Sequence, residues 1–269
     1  MKRFFFFILL VLGSSASLHA QFARTDPRVE WELTFLKKNV EPLYRKPTRK
    51  ELKAIEPRRA LFDEYAGFLR QPKTGLTKLI DDKGCAENTK VVVATDNCLK
   101  YTMPGAGSSF SFRTQTYRIP RLADLTFTDK SFQAAGVLLH GIFANIGNVP
   151  LEEVSLQTKG LKYLVDFQPE PDYEKGKELD LQLIEGIKSD GFLYRRGLFS
   201  VENTTFALRS IAYSGKYFRA VKNLTYNEFD FDKRRDVIVV FRIVEKDEAG
   251  NVTILWKELQ EKDSPEVKR

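Results

Sequence analysis

The sequence predicts an α+β fold, built mainly on antiparallel β-sheet as a sandwich or partly closed barrel of about ten strands. A small helical N-terminal region and one helix near residues 172–190 complete it. Three observations carry this prediction. Short apolar-polar alternations recur through the last two thirds of the chain, turn residues separate them, and regular strand-helix alternation is absent.

The first residues carry an export signal pattern. Lys2 and Arg3 precede an unbroken apolar run from Phe4 to Leu12, and small residues from Gly13 to Ser17 follow. Residues 1–20 are therefore expected to be a signal peptide, cleaved after Ala20, with Ala16 as the alternative. The run is far shorter than the roughly 20 apolar residues a spanning helix needs, so no membrane span is expected. The expected location is secreted or periplasmic.

Residues 21–72 read as helical. Asp26 before Pro27 is an N-cap followed by a first-turn proline. Val29, Leu33, Leu36 and Val40 recur at helical spacing, and Pro42 and Pro47 are expected to end that helix. Thr48 with Glu51 forms a capping box for a second helix, which Pro57 should break or kink. Leu61, Tyr65, Phe68 and Leu69 mark the next apolar stripe, and Gln71 to Gly75 mark the boundary.

Residues 73–260 read as the β-rich domain. Val91–Val93, Phe110 with Phe112, and Ala123, Leu125 and Phe127 suggest half-buried strands. The segment Val137–Ile146 is apolar on both faces, as a central strand would be. Leu151–Gln157 and Leu161–Phe167 flank Thr158-Lys159-Gly160 and read as a hairpin. Asp172 can cap a helix lined by Tyr173, Gly176, Leu179, Leu183, Ile184 and Ile187, with Gly191 fitting a C-cap. Strands return at Thr205–Tyr213, Asp236–Val244 and Val252–Leu259, the last two around a Glu248–Asn251 turn. Residues 261–269 read as a charged, frayed tail.

Chemistry-bearing motifs are sparse. His140 is the only histidine beyond the leader, which disfavours histidine-based triads and a histidine-ligated zinc site. It reads as a buried or edge histidine with its ring satisfied. No G-x-S-x-G elbow or S-x-x-K occurs. The glycine-rich stretch Pro104–Ser109 has no following lysine and opens onto a strand, so it lacks the features of a phosphate loop. No cofactor and no metal are expected from these patterns. Cys85 and Cys98, an even pair in an exported chain, suggest one local disulfide. Such a short loop would stabilise by roughly 3 kcal/mol in the chain-entropy model.

Two charged features stand out. Glu228, Asp230 and Asp232 alternate with Phe229 and Phe231. On a strand the three acids would share one face, able to bind a hard cation or to supply a carboxylate pair for hydrolysis. The second feature is basic. The formal net charge is +7, and Arg45, Lys46, Arg49, Lys50, Lys53, Arg58 and Arg59 crowd one segment against Glu51 and Glu56. Arg45, Lys46, Arg49, Lys50 and Lys53 form a candidate anion-binding segment. Outside the cytoplasm its partner would be an anionic envelope component or another protein, and nucleic acid is not expected. The functional expectation is a non-catalytic binding or structural module of the envelope or extracellular space, with a carboxylate- or metal-assisted secreted hydrolase as the alternative.

Overall fold

A computed structural model describes residues 27–82, 107–221 and 223–268. The expected leader and both cysteines, Cys85 and Cys98, lie outside the described residues, as do Asp26 and Val91–Val93.

The chain opens on α1 (Pro27–Phe35), which widens into a π-turn over Leu36–Val40 and resumes as α2 (Glu41–Tyr44). Pro42 does not end the helix, because it sits in the first turn of α2, where its missing N–H is not needed. Thr48 caps α3 (Arg49–Ala54) with both bonds of the expected capping box: Glu51 N donates to Thr48 Oγ1 at 3.3 Å, and Thr48 N donates to Glu51 Oε2 at 2.6 Å. The helix stops before Pro57, and α4 (Arg59–Glu64) and α5 (Ala66–Leu69) follow.

Fourteen strands are present among the described residues. They are β1 (Thr74–Leu79), β2 (Ser109–Ser111), β3 (Thr116–Tyr117), β4 (Leu125–Thr128), β5 (Ser131–Ala134), β6 (Leu139–Gly147) and β7 (Ile187–Ser189). The rest are β8 (Phe192–Arg195), β9 (Gly197–Phe199), β10 (Thr205–Ala212), β11 (Phe218–Val221), β12 (Leu224–Asn227), β13 (Arg235–Lys246) and β14 (Val252–Asp263). A seven-stranded antiparallel sheet runs β1-β14-β13-β10-β6-β8-β7, a five-stranded sheet runs β3-β2-β4-β5-β9, and β11 pairs with β12. Among the described residues no sheet closes into a barrel.

The seven-stranded sheet is the middle of three layers, and the two-residue period of its strands explains why. Along β13, Val237, Val239, Phe241 and Ile243 enter one core while Ile238 and Val240 enter another. In β10, Phe206 and Leu208 join the first core and Ala207 the second. The first core packs against Phe110, Phe112, Leu125, Phe127 and Phe132 of the five-stranded sheet region, making a sandwich. The second packs against Phe68, Leu151, Val154, Leu161, Leu164 and Leu183 from the helical layer. Every residue of β10 is buried, as a strand covered on both faces must be. A third, small core joins Val40 and Tyr44 of the N-terminal helices to Ile119, Leu122 and Tyr226.

Three local expectations are corrected. Residues 151–167 form no hairpin: Leu151–Glu153 is a 3₁₀ turn and Lys162–Asp166 is a helix, α6. Leu151 and Val154, and Leu161 and Leu164, are buried at a spacing of three, which a helical turn satisfies and a strand does not. The helix capped by Asp172, α7 (Tyr173–Glu185), ends at Gly186 with φ near +104°, and Gly191 instead turns the β7–β8 hairpin. Ile184 of the expected stripe is exposed, while Gly176 and Leu183 are buried. Finally, β14 runs past Glu261, and the tail is tied down. Ser214 N donates to the Pro265 carbonyl at 2.8 Å, and Lys268 N to the Pro171 carbonyl at 2.7 Å.

A buried ion pair locks the helical layer to the sheet. Arg209 of β10 grips Asp236 of β13 through Nε (2.9 Å) and Nη2 (2.6 Å), and its Nη1 donates to the Leu164 and Phe167 carbonyls. Those carbonyls lie at the end of α6, so the guanidinium satisfies groups the short helix leaves open.

Candidate functional site

The acidic row does not form the face its alternation implies. Asn227 caps a 3₁₀ turn over Glu228–Phe231, so the three carboxylates point three ways. Glu228 is fully buried. It accepts from Arg121 Nη2 at 2.8 Å, from Arg219 Nη1 at 3.3 Å and from the Tyr44 hydroxyl at 2.7 Å. Burial pushes its carboxyl up, but these donors outweigh that and hold it below the usual glutamate range. Asp232 has a fully buried side chain that accepts from Arg113 Nη1 at 2.7 Å and Arg234 Nη1 at 2.9 Å. Asp230 is exposed and accepts from Asn227 Nδ2 at 2.7 Å. Arg113 also binds Asp124 at 2.6 Å, so two carboxylates share one buried guanidinium. Among the described residues no group of three or more His, Cys, Asp or Glu is placed to hold a metal ion.

Phe229 and Phe231 part company for the same reason. Phe231 stacks on Tyr44 with centroids 4.6 Å apart, while Phe229 lies beneath the Arg234 guanidinium, 4.0 Å from its ring centre. The row is a structural junction where the N-terminal helices, the β11–β12 ribbon and the sandwich meet.

His140 lies buried on β6 beside a small cavity of about 170 Å³. Its Nδ1 is 3.3 Å from the Tyr213 hydroxyl, and its Nε2 is 4.0 Å from Asp180 Oδ1. Asp180 Oδ2 accepts from Arg196 Nη1 at 3.1 Å. Burial lowers the imidazole below the usual histidine range against the pull of Asp180, and burial raises Asp180 against the pull of Arg196. No serine, threonine or cysteine is among the described residues lining this cavity, and the hydroxyl beside the histidine is the phenol of Tyr213. Sequence reasoning found His140 but neither Asp180 nor Tyr213, which reach it from α7 and the end of β10.

The basic segment divides into two groups. Arg45 turns back and clamps Glu51 with two bonds, Nη1 to Oε2 at 2.8 Å and Nη2 to Oε1 at 2.6 Å. Lys46, Arg49, Lys50 and Lys53 are exposed and form no salt bridge with a described carboxylate. Arg49 and Lys53 stand one turn apart on α3 and line a groove of about 580 Å³.

Beyond those cations the lining mixes aromatic and aliphatic residues with Thr74, Thr77, Gln115 and Thr116. Phe110, Tyr117 and Trp256 form its floor on the sheet side, with Leu52 and Ile55 on the helix side. Trp256 can lie flat there because residue 75 is glycine: a Cβ at Gly75 would come within 2.5 Å of the indole. The indole N–H donates to Thr77 Oγ1 at 3.0 Å, and the Tyr117 hydroxyl donates to the Lys78 carbonyl. Sequence reasoning located the cations. It missed the floor, whose residues come from three distant stretches of chain.

No family model matches this chain, and neither a curated protein nor a solved structure is significantly similar to it.

Proposed function

We propose that this protein is an exported, non-catalytic binding module whose partner is an anionic component of the envelope or extracellular space. One observation carries the reading. Arg49 and Lys53 form a cationic lip over the 580 Å³ groove, and neither forms a salt bridge with a described carboxylate. A groove of that size with an apolar floor and a few convergent charged groups has the form of a ligand site. Export is supported by the basic, apolar and small-residue order of the first residues, and the proposal includes a Cys85–Cys98 disulfide.

The hydrolase alternative has less support. It would need Glu228, Asp230 and Asp232 free to meet a substrate. Glu228 and Asp232 are instead held by four guanidinium groups.

The test of partner chemistry is salt-dependent binding to anionic vesicles and to an acidic polysaccharide. The protein is expected to bind at low ionic strength and release near physiological salt, where screening shortens the field to about 8 Å. Changing Lys46, Arg49, Lys50 and Lys53 together to Gln should abolish that binding. Equal binding by both proteins would overturn the reading. Intact mass and non-reducing peptide mapping of exported material test the leader and the disulfide.

A further inference from the structure

Resting on that reading, we propose that the groove between α3 and the sheet takes a single-chain anionic amphiphile. Its acidic head lies between Arg49 and Lys53, and its hydrocarbon chain lies over Phe110 and Trp256.

Two features of the groove select this ligand class. The first is the arrangement of charge. Residues four apart on a helix are neighbours, with Cβ atoms about 5–6 Å apart. Arg49 and Lys53 can therefore close on one carboxylate or phosphate from the same side, with the arginine supplying a planar fork. Glu56 is the only acid lining the groove among the described residues, so the lining carries a net positive charge.

The second is what the floor does not offer. The two polar handles of its aromatic residues are already used: the Trp256 N–H by Thr77, and the Tyr117 hydroxyl by the Lys78 carbonyl. The Thr74 and Thr77 hydroxyls are engaged as well, so a sugar ring over Phe110 and Trp256 would find uncharged polar side chains only at Gln115 and Thr116, and would lose hydrogen bonds to water over the rest of the lining. A hydrocarbon chain loses none, and it gains by leaving water. Leu52, 39% exposed on α3, and Ile55 extend the apolar wall below the cations. Charge at the lip and aromatic and aliphatic side chains in the lining match a molecule with one acidic end and one apolar body.

The experiment uses Trp256 as the reporter. The chain has two tryptophans, and the other, Trp31, is 56% exposed on α1, so Trp31→Phe leaves Trp256 as the sole signal. Brominated stearate is titrated into this variant as quencher, with a brominated alcohol of equal length as the uncharged control. The acid is expected to quench Trp256 saturably at one molecule per chain. The alcohol should bind more weakly. Adding Arg49→Gln and Lys53→Gln should weaken the acid by about tenfold, near 1.4 kcal/mol, with circular dichroism unchanged.

Absence of saturable quenching by the acid overturns the inference, and so does equal quenching by acid and alcohol. Anionic-vesicle binding measured on the same samples separates the two readings. Vesicle binding that depends on the cations, without quenching by the acid, leaves the anionic-partner reading standing and removes the amphiphile. Loss of both removes both.

Discussion

The Tyr44 hydroxyl donates to Glu228 Oε1 across 2.7 Å, joining two residues 184 positions apart. The same hydroxyl lies 2.7 Å from that of Tyr226, and the Tyr44 ring stacks on Phe231. Burial, reinforced by Tyr226 and Glu228, pushes the phenol well above its usual range, so it remains a donor at any physiological pH. This contact anchors the N-terminal helices to the sandwich.

Removing Glu228 should therefore act on stability. Glu228→Ala leaves Arg121 and Arg219 facing a buried gap, and the expected loss is about 3 kcal/mol, because breaking a buried pair strands its partner charge. Tyr44→Phe should cost about 1 kcal/mol, one hydrogen bond's net worth. Urea unfolding followed by far-ultraviolet circular dichroism measures both. An unchanged midpoint for Glu228→Ala would contradict the structural role assigned to this residue.

Calcium and chelators should leave the melting temperature unchanged. A ligand that binds only the folded state raises it, but Glu228 and Asp232 already spend their oxygens on guanidinium groups. A chelator-sensitive melting curve, restored by calcium and lost in Asp230→Asn, would return the acidic row to candidacy as a metal site.

The basic segment should separate into stability and binding. Thr48→Ala removes the capping box and should cost about 1 kcal/mol. Arg45→Gln releases Glu51 and should also destabilise, by at most about 1 kcal/mol for a pair with partial solvent access. Neither change touches the groove lining. Arg49→Gln and Lys53→Gln should do the reverse, sparing the urea midpoint and weakening vesicle binding. Equal effects of all four on both measurements would refute this division.

Acid should destabilise the fold in two stages. Burial holds the His140 imidazole below 6.5, so the unfolded chain takes up a proton first as pH falls past that value. Stability is then lost downward from about pH 6.5. Asp180 works in the opposite sense: its raised carboxyl keeps a proton more firmly when folded, and so opposes part of the loss once pH reaches its own range. Glu261 acts lower. Hydrogen bonds from Lys233 and Lys73 hold its carboxyl at about 2, down from 4.5. Its contribution is present in full above 4.5 and fades as pH falls toward 2. Urea midpoints across this range should show a flatter upper limb in His140→Gln and a flatter lower limb in Glu261→Gln. A histidine titration midpoint above 6.5 by NMR would reverse the first assignment.

Local pattern was enough to place much of the fold. The runs at 137–146, 205–213, 236–244 and 252–259 hold β6, β10, β13 and β14, because β-branched and aromatic residues between turn signals have few other ways to bury both faces. The Glu248–Asn251 turn and the Thr48–Glu51 capping box were equally legible, since each is closed by residues within a few positions of one another. The same local reading failed at 151–167, where short apolar clusters fit a hairpin or a helical turn until the helical layer selects one.

The charges lay beyond local pattern altogether. Arg234 lies two positions from Asp232, but Arg121 and Glu228 are 107 positions apart and Arg113 and Asp232 are 119 apart, so the burial of these acids is not announced near residues 228–232. The groove floor is likewise assembled from β1, β14 and the Phe110–Tyr117 stretch. The sequence by itself determined the four long strands β6, β10, β13 and β14, the Thr48 and Asp172 caps and where positive charge is concentrated, because period, turn chemistry and charge are properties of neighbouring residues. The tertiary structure alone decided which carboxylates are buried in ion pairs and which cations face a groove, because burying a charge requires a partner that only the packed chain can bring to it.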